Sequence, residues 1–156
     1  MTERSAGAEN SAKTGVLRIA PRLSRLYLDA LRAADAAGAF RVASDALAHG
    51  MTTAQLYQRV ITPAMHEVGV LWEKGALTVA DEHMATALTH RVLASLRPPG
   101  QVEAGDEKKA APQRVMLAAV EGEQHALGLR MAADVLEDAG FHAIYLGADV
   151  PTEALL

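Results

Sequence analysis

The chain has 156 residues, half of them apolar and few aromatic, and a net charge of −4. That length admits one domain or two small ones, and the acidic balance leaves no electrostatic footprint for nucleic acid or an anionic membrane. The absence of cysteine excludes disulfides, thiolate metal sites and thiol catalysis together.

The opening stretch, MTERSAGAENSAKTG, carries no apolar signal-peptide core, and no apolar run approaches a membrane span. Residues 1–16 therefore read as a disordered lead-in to a soluble, cytoplasmic protein. From Pro21 to Ala37, Leu23, Leu26/Tyr27 and Leu31 recur at helical spacing, and Gly38 reads as the stop. AFRVASDALAHG predicts a shorter second helix ending at Gly50. A third runs from Thr52 or Thr53 as N-cap to Gly75, with a kink expected at Pro63. A fourth starts at a Thr78/Asp81 capping box and ends at Pro98-Pro99. Four amphipathic helices on short loops predict a four-helix bundle over residues 17–97.

Residues 98–113 are rich in Pro, Gly and charge and read as an interdomain linker. Beyond them RVMLAAV (114–120) is a continuous apolar run, the pattern of a strand buried on both faces. An Ala/Leu-rich helix stopped at Gly140 follows, then a second strand over 141–147 and a loop feeding another helix. Strand, helix, strand opens a doubly wound parallel sheet, so residues 114–156 read as the first half of a Rossmann-like, flavodoxin-like domain. The fold class expected is thus α plus α/β.

Ligands of open α/β sheets sit outside the carboxyl ends of the strands. The loop after the first strand holds EGEQHALG, with Glu123 and His125 two apart and Gly128 three further on. A neutral imidazole suits a borderline transition metal, and a carboxylate on its other ring nitrogen fixes the tautomer and raises basicity. Gly128 lets a bulky group pass close to the backbone. No second His or Cys stands at a spacing that completes a protein-built zinc site, so one protein ligand implies a macrocycle for the rest. Taken alone, Glu-x-His-x-x-Gly is a weak motif. Its place after a buried strand is what gives it weight.

EGEQHALG, continuing through AADVLEDAGFHAIYLGADVP, resembles the first half of a cobalamin-binding domain of the methionine-synthase type. The resemblance implies that His125 binds cobalt from below, that Glu123 is its partner, and that Gly128 flanks the nucleotide tail. The family's later Ser-x-Leu and Gly-Gly segments would lie beyond Leu156. In that family a four-helix cap precedes the Rossmann-like domain, and TPAMHEVGVLWEKGALTVADEHMAT resembles its third and fourth helices. The Trp-x9-Glu-His spacing, Trp72 with Glu82-His83, matches the branch typified by the CarH photoreceptors, which bind 5′-deoxyadenosylcobalamin. It implies that Trp72 stacks on the upper ligand and that Glu82 and His83 bond to the adenosyl group.

The function this implies is a light-responsive cobalamin sensor, not an enzyme, signalling through loss of the upper ligand and rearrangement of domains or oligomer. A homo-oligomer or a regulatory protein would carry the output. Direct nucleic-acid binding is not expected, because residues 1–16 are too few for the MerR-type domain of CarH-like regulators. Any bilin of the photocobilin kind would be noncovalent for want of a cysteine. Where CarH-like proteins place a His directly after the Trp, this chain has Glu73, so that route to a bis-His lit state is closed. The alternative is a corrinoid carrier serving a methyltransferase, which needs the His125 loop but not Trp-x9-Glu-His. His49, His66, His90 and His142 read as isolated surface or core residues, and Met65, Met84, Met116 and Met131 as core.

Overall fold

The structure, a computed structural model, describes residues 3–97 and 113–155. Contacts divide the chain into two units, Met1–Pro98 and Pro99–Leu156. The linker stretch 98–112 lies outside the described residues.

The first unit is helical. Helix α1 spans Glu3–Arg32 and α2 spans Ala36–Ala48. The third helix of the unit is a composite of α3 (Thr53–Leu56), a π-helical segment (Tyr57–Ile61) and α4 (Thr62–Glu73). Helix α5 spans Val79–Leu96. Helix α1 contacts α2, α4 and α5, and α5 also contacts α2 and α4, so four rods share one core. Tyr27, Leu31, Leu56, Val60, Ile61, Val68, Val92 and Leu93 fill it, and Ala39, Ala43, Ala46, Ala64 and Ala85 let the helices approach closely. Burying each large apolar side chain contributes about 1.5–3 kcal/mol, so this stripe, rather than helix propensity, holds the unit together.

The sequence-based expectations need correction in several places here. Helix α1 begins at Glu3, inside the segment 1–16 expected to be disordered; its Glu, Ala and Lys content favours helix. The same helix ends at Arg32 rather than Ala37. Ala34 takes a positive φ, and Asp35 starts α2 by accepting a hydrogen bond from the Gly38 N–H at 2.8 Å. Gly38 is thus in the first turn of α2, buried, and not a stop. In α1 the core residue of the Leu26/Tyr27 pair is Tyr27, while Leu26 faces out.

Pro63 acts where expected but not as a simple kink. A proline lacks the N–H for an α-type bond, and its ring crowds the carbonyl four residues back. The turn just before it widens into the π segment, in which Thr62 N–H reaches Tyr57 O. Both capping boxes form: Thr52 with Gln55, and Thr78 with Asp81. Gly75, at φ 71°, closes the third helix.

The second unit is strand β1 (Arg114–Val120), helix α6 (Leu127–Asp138) and strand β2 (His142–Val150), with a 3-10 turn at Thr152–Leu155. The strands pair in parallel, from Arg114 opposite His142 to Val120 opposite Val150. Two register irregularities, either side of Ala118, give β2 extra residues relative to β1. Gly147, at φ 89°, permits the first of them. The second strand therefore runs three residues past its expected end at Gly147. Among the described residues one face of β1 is covered. Leu117 and Ala119 are buried, whereas Met116 and Val120 are exposed, because among the described residues α6 covers one side of the pair. Met116 is accordingly not a core methionine.

Architecturally the chain is a helical bundle followed by the opening strand–helix–strand of a Rossmann-like parallel sheet.

Candidate functional site

In the second unit the chemistry sits in the loop between β1 and α6. β1 ends at Val120, and Glu123 N–H returns to Val120 O at 2.9 Å. The intervening Gly122 has φ 85°, the positive value that a turn of this type requires at its third position. Glu123 then turns its carboxylate along the loop. Its Oε1 accepts the His125 backbone N–H at 2.6 Å and the His125 Nδ1–H at 2.7 Å. These bonds hold the Glu123 carboxyl below the usual carboxylate range, the backbone N–H of His125 contributing most and its side chain next. An ionised carboxylate only accepts, so Nδ1 carries a proton, and in the neutral ring Nε2 then holds the lone pair. The His125 side chain is 96% exposed, so that lone pair is open to a ligand.

Two residues that sequence reasoning missed hold this loop. Asp149, in β2, accepts the Gly122 N–H on Oδ1 at 2.7 Å and donates its own N–H to Glu123 O at 3.0 Å. Tyr145 OH donates to Ala126 O at 3.3 Å, fixing the point where the loop becomes helix. Below it, Arg130 lies 5.7 Å from the Tyr145 ring centroid and pairs with the buried Asp134 at 3.1 Å. The residues around LGADVP read as strand end and loop. The one signal was an Asp two residues after a strand glycine, a residue type that takes the left-handed conformation more readily than most.

Gly128 lies in the first turn of α6. A Cβ there would meet nothing within 4 Å, and its backbone has no positive φ. Packing inside the unit therefore does not demand glycine, although glycine costs a helix up to about 1 kcal/mol relative to alanine.

In the helical unit, Trp72, Glu82 and His83 flank the turn between α4 and α5. That turn is short: Gly75 N–H reaches Trp72 O at 2.9 Å and Ala76 N–H reaches Leu71 O at 2.8 Å. Trp72 is 50% exposed, so it is not the ordinary core aromatic that a lone indole often is. Glu82 Oε2 accepts from His83 Nδ1 at 2.6 Å, and Glu82 Oε1 accepts from Thr86 Oγ1 at 3.0 Å. Thr86, another residue not read from the sequence, orients the carboxylate. As at Glu123–His125, an acceptor on Nδ1 leaves Nε2 free. Gly69 lies one turn before Trp72 on the same helix face, and a Cβ there also would meet nothing within 4 Å.

Among the described residues no group of three or more His, Asp or Glu side chains could hold a metal ion. The described helices also include none long and apolar enough to cross a membrane. His49 bonds its own helix at Asp45 O, as a satisfied surface residue does.

A helical unit followed by the start of a Rossmann-like sheet with a histidine loop after its first strand defines the class. Residues 23–97 match the profile of the B12 binding domain family, and the chain is similar to corrinoid proteins. Trimethylamine corrinoid protein 1 of Methanosarcina acetivorans is 29% identical over 128 residues, covering 82% of this chain and 58% of that protein. The HTH-type transcriptional repressor CarH of Myxococcus xanthus is 34% identical over 102 residues, covering 64% of this chain and 31% of that protein. The solved monomethylamine corrinoid protein of Methanosarcina barkeri superposes with a TM-score of 0.64 at 26% identity, covering 83% of this chain and 58% of that one. The chain thus spans a little over half the length of these corrinoid proteins.

Proposed function

We propose that the chain is a cobalamin-binding module of the corrinoid-carrier kind, with His125 as lower axial ligand of cobalt. The observation that carries the reading is the free, exposed Nε2 of His125 with Nδ1 secured by Glu123. The residues fit the group: a macrocycle already supplies its metal with equatorial nitrogens and asks the protein for one axial nitrogen. Cobalamin, when bound, supplies a cobalt centre able to carry an organic upper ligand. Glu123 draws on the Nδ1 proton, which raises the basicity of Nε2 and stops the ring from turning. Gly128, free of packing demands, leaves the backbone open to close approach by the nucleotide tail. The helical unit contributes Trp72 as an apolar wall, with Glu82 and His83 as polar contacts to the upper ligand. The partner would be a methyltransferase, with this chain as the corrinoid subunit rather than the catalyst, and the methylamine corrinoid relatives support that reading.

A specific observation favours a second reading. Trp72 with Glu82-His83 keeps the Trp-x9-Glu-His spacing, and the exposed indole and paired His83 suit an adenosyl group. The CarH relative supports this reading, in which the chain senses light through 5′-deoxyadenosylcobalamin and signals by self-association or through a regulatory partner.

One experiment tests both. The purified chain is loaded in the dark with methylcobalamin or 5′-deoxyadenosylcobalamin, freed of excess cofactor, and followed by absorption and light scattering before and after green light. Retained methylcobalamin with no light-dependent change in mass supports the carrier. Retained adenosylcobalamin with coupled changes in spectrum and mass supports the sensor. Uptake unaffected by His125→Ala would sink both.

A further inference from the structure

We propose that Asp149 is the positioning residue of the His125 loop, through a two-way clamp across the ends of β1 and β2. The role is defined toward cobalt ligation by His125 and rests on that reading of the site.

Asp149 touches the loop twice and from opposite directions. Its side-chain Oδ1 takes the Gly122 N–H at 2.7 Å, and its backbone N–H goes to Glu123 O at 3.0 Å. The two bonds bracket the peptide between Gly122 and Glu123, the link that sets where the Glu123 side chain starts. From there Glu123 Oε1 must meet both the N–H and the Nδ1–H of His125, at 2.6 and 2.7 Å. One oxygen satisfying two donors on a neighbouring residue tolerates little rotation of its own backbone. The clamp therefore decides the direction of His125 without touching it.

The backbone at Asp149 is built for the task. It has φ 54°, a left-handed conformation that Asp and Asn adopt far more readily than other side chains. One register irregularity precedes it and it lies within the second, between Gly147 and Val150, so the extra residues of β2 deliver Asp149 to the carboxyl end of β1. A residue with no acceptor would leave the Gly122 N–H to water, and a β-branched one would not take the backbone angle.

These requirements separate cleanly in two variants. Asp149→Gly keeps the backbone angle and removes the acceptor; Asp149→Asn keeps both and removes only the charge. In the full chain without cobalamin, NMR of the 15N-labelled His125 ring reports which nitrogen carries the proton, and amide exchange reports the Gly122 N–H. The wild type shows a single Nδ1–H form and a protected Gly122. Asp149→Gly gives a mixture of ring forms and roughly tenfold faster Gly122 exchange, the loss expected for one hydrogen bond. Asp149→Asn restores the wild-type pattern. Wild-type values in a folded Asp149→Gly protein would overturn the proposal. Should that variant not fold, a through-hydrogen-bond coupling between the Gly122 amide and the Asp149 carboxylate carbon in the wild type decides instead, its absence being the refutation.

A second arm uses hydroxocobalamin as the probe. Asp149→Gly lowers the ratio of imidazole-ligated to unligated cofactor by roughly tenfold, and Asp149→Asn stays near the wild-type ratio. If wild-type protein takes up hydroxocobalamin without ligation by His125, the reading of the site fails and the role toward cobalt goes with it. The arm without cobalamin still reports the clamp by itself, so the two failures are distinguishable.

Discussion

Glu123 Oε1 accepts two hydrogen bonds from His125, one from its backbone N–H and one from its ring Nδ1–H. A single oxygen thus fixes both the position of the residue and the tautomer of its ring. Glu123→Gln keeps an acceptor oxygen but loses the charge that raises the basicity of Nε2. We expect a 10–100-fold loss of hydroxocobalamin affinity in equilibrium dialysis, the usual cost of removing such a partner, with little change in melting temperature because Glu123 is exposed. The Glu123 carboxyl is held below its ordinary value, so the sign of the pH effect follows. The interaction is fully present above the ordinary carboxylate range and is lost only as pH falls through the depressed folded value.

The bundle core carries its own pH signature. Tyr27 is buried, and desolvation pushes its phenol up to about 12, against the lowering effect of its hydrogen bond to Thr89. A raised folded value means that stability is intact below the unfolded value and falls as pH rises toward the folded one. We expect the helical unit to lose roughly 1–3 kcal/mol between about pH 10 and about pH 12. Tyr27→Phe should abolish that alkaline loss while costing about 1 kcal/mol at neutral pH. Urea titrations across that range, followed by circular dichroism, measure both.

Asp134 is 1% exposed and faces Arg130, whose guanidinium is about one-third exposed. Asp134→Ala strands that cation beside Tyr145. For a fully buried pair the cost is about 3–5 kcal/mol, and solvent access to Arg130 should reduce it to about 2–3 kcal/mol. Thermal melts of the full chain should show the second unit unfolding first in this variant. An unchanged melt would mean that the pair contributes nothing.

Trp72 is the only tryptophan in the chain and half-exposed, so its fluorescence reports on one place. If Trp72 lies against the upper ligand, hydroxocobalamin uptake quenches it, and Trp72→Ala leaves stability within about 1 kcal/mol of wild type. Uptake without quenching would remove Trp72 from the site.

Much of this was legible in the sequence because local signals agreed with the fold. The Thr78/Asp81 box and the Gly75 stop each placed a helix end correctly, while the Leu repeat announced a helix but neither of its ends. Gly38 misled because a glycine after a helical run is usually a stop, whereas here it gives room to the Asp35 cap: a Cβ would fall 2.2 Å from the Asp35 Oδ2. Pro63 announced a distortion but not that a π segment would absorb it. Glu123 and His125 were visible as a pair since they lie two apart, while Asp149, 27 residues from Gly122, becomes a partner only once β2 has paired with β1. Thr86 was hidden for a different reason: any helix offers many i,i+4 neighbours, and only the structure says which one bonds.

The central claim is ligation of cobalt by His125, and one measurement tests it most directly. The chain is prepared with 15N-labelled histidine, loaded with cobalamin and reduced to the cobalt(II) form, and its electron paramagnetic resonance spectrum is recorded. A nitrogen-14 axial ligand splits each cobalt line into three and a nitrogen-15 ligand into two. Doublets that vanish in the His125→Ala variant are the predicted result; triplets in the labelled wild type would show that the axial nitrogen is not a histidine and contradict the account.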